Sequence, residues 1–175
     1  MPHKNARTDL TAEFLRSAFS YDPLTGVLRW KHRAERSAQW NGRYGGRTVG
    51  SAVQRGLSVS IDKKRYLIHR IIWVIMTGAW PPYEIDHEDC NYKNNVWTNL
   101  RPATASQNMC NQPKRRNNTS GFKGIYWDKT RLHWRATIMC RGVSHYLGSF
   151  GTAIAAHAAY CEAAERLHGE FARHG

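Results

Sequence analysis

EIDHEDCNYKNNVWTNLRPATASQN, residues 84–108, sets Glu84, Asp86, Glu88 and Asp89 around one imidazole, His87. Five asparagines follow: Asn91, Asn94, Asn95, Asn99 and Asn108. The run after "WPPY" opens with a short extended segment ending at Asp86-His87. Next comes a polar loop, 87–98, whose asparagines tolerate turn and left-handed backbone. "NLRPAT" predicts a second short strand. Thr104, with Gln107 three residues on, is a capping box, so a helix starts near Ala105 with Asn108 in its first turn. The order strand, loop, strand, helix can bring Asp86, His87 and Asn108 together.

Those residue types suit one chemistry. A hard divalent cation takes oxygen donors such as a carboxylate and an amide carbonyl, and keeps room for water and phosphate. A neutral imidazole beside it can accept a proton from an attacking water. Asn99, bonding loop backbone, would orient His87. A solvated Asn-rich turn with a surface histidine is the plain alternative.

Working outward, the charge is uneven. The 175 residues carry 26 Lys+Arg against 13 Asp+Glu, a formal net charge of +13, which points to a polyanionic partner. Residues 1–61 hold ten Lys/Arg and four Asp/Glu; residues 113–175 hold the same numbers. Residues 62–112, with six and five, are nearly neutral. Two basic flanks that grip backbone phosphates around a carboxylate-bearing middle is the division this predicts. Hydrophobic content of 41% excludes a disordered chain. The four cysteines, Cys90, Cys110, Cys140 and Cys161, form no C-x-x-C pair, so neither a disulfide scaffold nor structural zinc is expected. The N-terminal stretch shows no long apolar run, which predicts an intracellular protein without a membrane span.

Along the chain, residues 11–19 predict a short helix capped by Thr11. "SYDPLTGVLRWK" predicts a turn and a strand over 27–31. Residues 32–50, basic and Gly-rich, read as loop or short strands. Two alternating runs, 57–61 and 65–69, predict a hairpin turning at Asp62-Lys63-Lys64, followed by a buried helix ended by Gly78 and the Pro81-Pro82 pair. His69-Arg70 has two readings: Arg70 holds a phosphate, or both residues support the fold beneath the site. Residues 113–120 read as a basic linker containing Lys114, Arg115 and Arg116. Three strand-like runs and an Ala-rich helix capped by Thr152 and stopped by Gly169 complete the chain. In "HWRATIM", Trp134, Ala136 and Ile138 face the helix, while His133, Arg135, Thr137 and Met139 face away.

Residues 20–112 resemble the HNH nucleases, in the phage and intron homing-endonuclease branch. The marks are Ile85, Asp86-His87, Asn91, Asn94-Asn95, Asn99-Leu100-Arg101 and Asn108. The resemblance implies that His87 is the general base, Asn99 the loop support, and Asp86 and Asn108 the ligands of one divalent metal, Mg²⁺ or Mn²⁺. It also implies double-stranded DNA as partner and products with 5′-phosphate and 3′-hydroxyl ends. Cys90 departs from the pattern, which has Gly there. Residues 119–172 resemble the Apetala/ethylene-response-factor DNA-binding domain, through Lys123-Gly124-Ile125, Trp134, Ala136, Ile138 and Tyr146-Leu147-Gly148-Ser149-Phe150. That resemblance lays the open sheet face in the major groove. With Arg70 and the linker cations, it nominates Lys123, Arg131, Arg135, Thr137, Arg141 and Tyr146 as DNA contacts.

The expected fold is therefore α+β. A ββα-metal module at 62–112 follows a basic region at 1–61 with short strands. After the 113–120 linker, residues 121–175 form a three-stranded antiparallel sheet packed on one helix. One active site per chain cuts one strand, so a double-strand break calls for two chains on the DNA. A phage-encoded copy would act in the cytoplasm of a bacterial host. The alternative of another class is a DNA-binding regulator with an inactive nuclease module. Removing everything after the linker is expected to leave 1–113 able to cut, with less selectivity.

Overall fold

The computed structural model describes residues 9–54 and 56–174. Residues 1–8, part of the expected gripping region, lie outside them. The chain divides into two compact units, 1–102 and 103–175.

The first unit begins with α1 (Ala12–Ala18), whose Thr11 side chain accepts a hydrogen bond from the Phe14 amide at 3.1 Å. The chain then enters β1 (Phe19–Asp22), which pairs antiparallel with β2 (Val27–Trp30). Asp22 builds the turn between them. Its carboxylate accepts from the Leu24 amide at 3.0 Å and the Thr25 hydroxyl at 2.7 Å.

Residues 32–50 differ from their sequence reading, because α2 (Ala38–Tyr44) forms there. Ser37 caps it through the Trp40 amide at 3.1 Å. Trp40 and Tyr44, one turn apart, pack with tilted rings whose centroids are 5.2 Å apart, and Trp40 meets Trp30 edge-on at 5.4 Å. This aromatic contact supplies what the Gly-rich composition lacks.

A three-stranded antiparallel sheet follows, β3 (Ser51–Val53), β4 (Gly56–Ile61) and β5 (Lys64–Leu67), in that spatial order. Asp62 and Lys63 both adopt positive φ, 48° and 63°, which is the two-residue hairpin turn whose twist matches the strands. Helix α3 (Ile68–Thr77) ends at Gly78 with φ 82°. Its Ile68, Ile71, Ile72 and Val74 are buried with Leu15, Phe19 and Leu28 of the N-terminal elements and Ile85 and Leu100 of the strands β6 (Glu84–His87) and β7 (Leu100–Ala103). One core thus spans the charge boundary at 61/62, because hydrophobic burial is indifferent to where the surface charge changes.

The second unit opens with α4 (Ala105–Asn111). Its capping box is complete, with the Thr104 and Gln107 side chains each accepting from the other's amide. Strands β8 (Ile125–Asp128), β9 (His133–Cys140) and β10 (Val143–Phe150) form an antiparallel sheet covered by α5 (Ala153–His168). Ile125, Ala136 and Ile138 pack on Ala156, Tyr160, Ala163 and Ala164. Gly124 has φ 72°, and a Cβ there would lie 2.5 Å from the Thr137 carbonyl and the Tyr160 ring, so only glycine fits.

Helix α4 packs against β9 and the short 3-10 turn Gly169–Phe171. Segment 113–120 is tied by its own bonds. The Lys114 ammonium donates to the Gly121 carbonyl at 2.7 Å and the Asn118 amide to the Phe122 carbonyl at 2.8 Å. Among the described residues no helix is long and apolar enough to cross a membrane.

Candidate active site

Strand β6 ends by burying two polar side chains in succession. Asp86 is 2% exposed and His87 1%. Burial of an unsupported carboxylate would be costly. Arg101, on the partner strand β7, donates from Nε to Asp86 Oδ2 at 2.9 Å. The Arg of "NLR" therefore fixes the Asp86 carboxylate from across the two-stranded sheet.

His87 is held on three sides. Its Nε2 lies 3.1 Å from Asn95 Oδ1. The His69 ring meets it edge-to-face at 5.1 Å, and the Tyr92 ring at 5.8 Å and 90°. Burial lowers the His87 pKa from its ordinary value, opposed by the Asn95 bond and the charges of Asp89 and Asp86. The neutral imidazole, able to accept a proton, is thereby favoured.

The loop between the strands is built by amides. Asn99 Oδ1 accepts from the Asp89 amide at 3.0 Å, and its Nδ2 donates to Asp89 Oδ1 at 3.0 Å and to the Asn94 carbonyl at 2.8 Å. The Glu88 amide donates to the Asn99 carbonyl at 3.0 Å. Burial alone would raise the Asp89 pKa, but hydrogen bonds from Asn94, the Asn91 amide and Asn99 outweigh it and lower it. Cys90, standing where glycine is usual, keeps the turn by adopting φ 62°, with its amide donating to the His87 carbonyl at 2.8 Å.

The first unit thus brings together Asp86, His87, Asn99 and two residues not singled out by sequence for a task of their own, Asn95 and Arg101. Asn95 stood in a crowd of five similar residues, and spacing alone does not single it out. Asn108 stands on α4 of the second unit.

Arg70 is turned inward. It is 9% exposed, and its guanidinium donates to the Tyr83 carbonyl at 3.2 Å and the Pro81 carbonyl at 3.5 Å and faces the Trp80 ring at 5.9 Å. Of its two sequence readings, these contacts belong to fold support. Lys123 is likewise engaged, its ammonium donating to the Cys110 and Gln112 carbonyls at 2.6 and 2.7 Å, where it caps the C-terminal end of α4.

Of the other nominated contacts, Arg115, Arg116, Arg131 and Arg141 are exposed. Arg135 is half-buried between the Tyr126 and Tyr146 rings, at 5.8 and 4.9 Å, and bonds Asp128 at 3.4 Å. Thr137 Oγ1 reaches the Gly124 carbonyl at 3.5 Å. Tyr146 shares a 2.5 Å hydrogen bond with Ser149.

Comparison with known proteins bears on this arrangement. The family model described as HNH endonuclease matches residues 66–110, the span from β5 to α4. The chain is 38% identical to "Protein 3.8" of Escherichia phage T7 over 106 residues, covering 60% of this chain and 87% of that protein. Residues 66–110 of this chain are an HNH endonuclease domain. It is also 33% identical over 119 residues to "Uncharacterized HNH endonuclease L560" of Acanthamoeba polyphaga mimivirus, 67% of this chain and 61% of that one. No solved structure matches it.

HNH nucleases generally use a divalent metal. Within the first unit, Asp86 offers a buried carboxylate oriented by Arg101, an oxygen donor of the kind a hard cation takes. Among the described residues no three His, Cys, Asp or Glu side chains converge on a metal position.

Proposed function

We propose that this DNA endonuclease hydrolyses phosphodiester bonds of duplex DNA with a divalent cation, Mg²⁺ or Mn²⁺, leaving 5′-phosphate and 3′-hydroxyl ends. His87 is the general base. The observation that carries the reading is the setting of His87. It is buried, kept neutral by burial and pinned at Nε2, and it directly follows an oriented carboxylate. Asp86 and Asn108 offer the carboxylate and amide oxygens for the cation, which when bound supplies positive charge for the phosphate oxygens. Asn99 holds the loop that carries His87. Arg101 keeps Asp86 in place.

Duplex selectivity is assigned to the second unit. The face of the β8–β10 sheet turned away from α5 carries Arg135, its guanidinium preset between two tyrosine rings, with Thr137 and Tyr146 beside it. That preset fork suits a guanine edge, in keeping with the resemblance to the Apetala/ethylene-response-factor domain. Exposed Arg115, Arg116, Arg131 and Arg141 serve phosphates. The function is then site-selective cleavage of the homing type, one strand per chain.

The test is plasmid cleavage with Mg²⁺, with chelator, and with His87→Ala, followed by sequencing of the cut ends. Loss of a general base is expected to cost on the order of 10²–10⁴ in rate while leaving DNA affinity near wild type. Equal cleavage by His87→Ala would remove the base assignment. Cutting in the presence of chelator would remove the cation.

A further inference from the structure

Folding sorts the cations of the basic N-terminal flank. Residues 1–61 hold ten Lys/Arg, of which seven lie among the described residues. Four of the seven are engaged internally. Arg16 Nε donates to the Ile75 carbonyl at 2.9 Å, and the Lys31 ammonium to the Arg16 carbonyl at 2.8 Å. Arg29 donates to the Gly46 carbonyl at 3.3 Å and the Thr48 hydroxyl at 3.2 Å. Arg33 is buried, pairs with Glu35 at 2.5 Å and lies over the Phe14 ring at 5.2 Å. Glu35 is the one carboxylate between residues 23 and 61, so that stretch has no second acid to neutralise its other cations. The remaining three, Arg36, Arg43 and Arg47, are exposed, and all lie in or beside α2.

Helix α2 is costly for what it packs. Seven residues are too few to stay helical unaided, and none of the seven is buried. Several bonds nevertheless hold it. The Asn41 side chain accepts from the Arg33 amide at 2.9 Å and donates to the Arg33 carbonyl at 2.8 Å. The Arg36 guanidinium lies over the Trp40 ring at 5.6 Å and that of Arg43 over the Tyr44 ring at 5.4 Å, while the two rings are 5.2 Å apart. Both guanidinium groups thus sit along one ladder of rings, with their rotamers restricted before any partner arrives. Arg47 follows directly, its amide donating to the Tyr44 carbonyl at 3.0 Å.

This ridge is tied to the loop that follows Asp86-His87, within the same unit. The Trp30 amide donates to the Arg47 carbonyl at 3.0 Å, and the Gly46 amide to the Trp30 carbonyl at 2.8 Å. At the opposite end of the β1–β2 hairpin, the Tyr21 hydroxyl donates to the Asn95 carbonyl at 2.7 Å and the Trp97 amide to the Pro23 carbonyl at 3.0 Å. The hairpin is a strut between α2 and the β6–β7 loop, so a polyanion held at α2 lies at a fixed offset from the catalytic strand.

We propose that Arg36, Arg43 and Arg47, displayed by α2, form a docking surface for the phosphate backbone of duplex DNA and supply sequence-independent affinity to the first unit. Guanidinium groups suit phosphate oxygens, which they bond in pairs. The reading as a DNA endonuclease is used only to name the polyanion.

The test is binding of the full-length protein to a random-sequence DNA duplex in chelator, by fluorescence anisotropy between 50 and 200 mM NaCl. Arg36→Gln/Arg43→Gln should lower the slope of log K against log salt by about 2 and raise Kd roughly 10–100-fold at 0.1 M salt. Arg47→Gln, outside the ring ladder, should lower the slope by about 1, which tests the surface even if the double variant is unstable. The control is Lys63→Gln/Arg65→Gln, which removes two exposed cations of the β4–β5 hairpin in the same unit and should leave the slope near wild type. Equal losses in the two double variants would mean that net charge alone drives binding, and would overturn the proposal. An unchanged slope in the α2 variants, or a wild-type preference for single-stranded RNA over the duplex, would overturn it too. A wild-type protein that binds with these slopes but cuts nothing when Mg²⁺ is added would leave the surface standing and remove the nuclease reading.

Discussion

At the scale of single residues, His69 shows how much neutrality the site demands. It lies beneath His87, 8% exposed, and burial, then the neighbouring His87 and Arg70, lower its pKa from 6.5 to about 3. A histidine with a depressed folded-state pKa binds its proton in the unfolded chain first. Its neutral form therefore supports the fold fully above about pH 6.5, and the fold loses stability as pH falls from there toward 3. Each pH unit in that window costs about 1.4 kcal/mol for one such group. Urea unfolding at pH 7.5 and 5.0 should differ by about 2 kcal/mol more in wild type than in His69→Phe, which has no proton to bind. An equal loss in both proteins would mean that His69 finds a proton partner on acidification.

At the scale of elements, the loop between β6 and β7 carries a second measurable consequence. Cys90 occupies the left-handed region with φ 62°, where a side chain costs roughly 1–2 kcal/mol. Cys90→Gly removes that strain but adds glycine's larger unfolded-state entropy, roughly 0.5–1 kcal/mol. Thermal unfolding should place the variant at or up to about 1.5 kcal/mol above wild type, with cleavage unchanged. A destabilised Cys90→Gly would show that the thiol makes contacts worth more than the strain.

Such details mark the limit of what the sequence discloses. The capping box at Thr104-Gln107, the Asp62-Lys63 turn and the stop at Gly78 are local devices, and local chemistry is readable from neighbours in the chain. That Asp86 and His87 end one short strand and Asn99 precedes the next was readable because their spacing matches a known pattern. Helix α2 was not, since its stability comes from Trp30, eight residues before the helix begins. Asn95 was not, because its partner Tyr21 lies 74 residues away. Lys123 and Arg70 have partners that the sequence does not show, for a shared reason. A cation signals charge in a sequence, but the structure spends both on carbonyl oxygens.

At the scale of the whole molecule, the composition of the second unit changes what truncation should do. The charge pattern places a cut within 114–118, between a nuclease and a reader. Helix α4, however, packs on β9 and on the 3-10 turn near the C-terminus, and its last carbonyls are capped by Lys123. A fragment ending at 113 keeps the α4 sequence and loses all of those contacts. Seven residues are too few to stay helical unaided. If Asn108 is a metal ligand, the fragment should lose cleavage of random DNA even at low salt, where backbone affinity is strongest. Arg135→Ala leaves α4 and its packing intact. It should cut random DNA at the wild-type rate while losing about 1–3 kcal/mol of discrimination at one base position. Lys123→Met separates the two roles further: it removes the cap of α4, so cleavage should weaken without any change in base preference. Plasmid cleavage by the three proteins, alongside a selection from randomised target DNA, reads both quantities. A 1–113 fragment that cuts at the wild-type rate would show that α4 needs nothing from the second unit, and that the reader and the nuclease are separable as the charge pattern suggests.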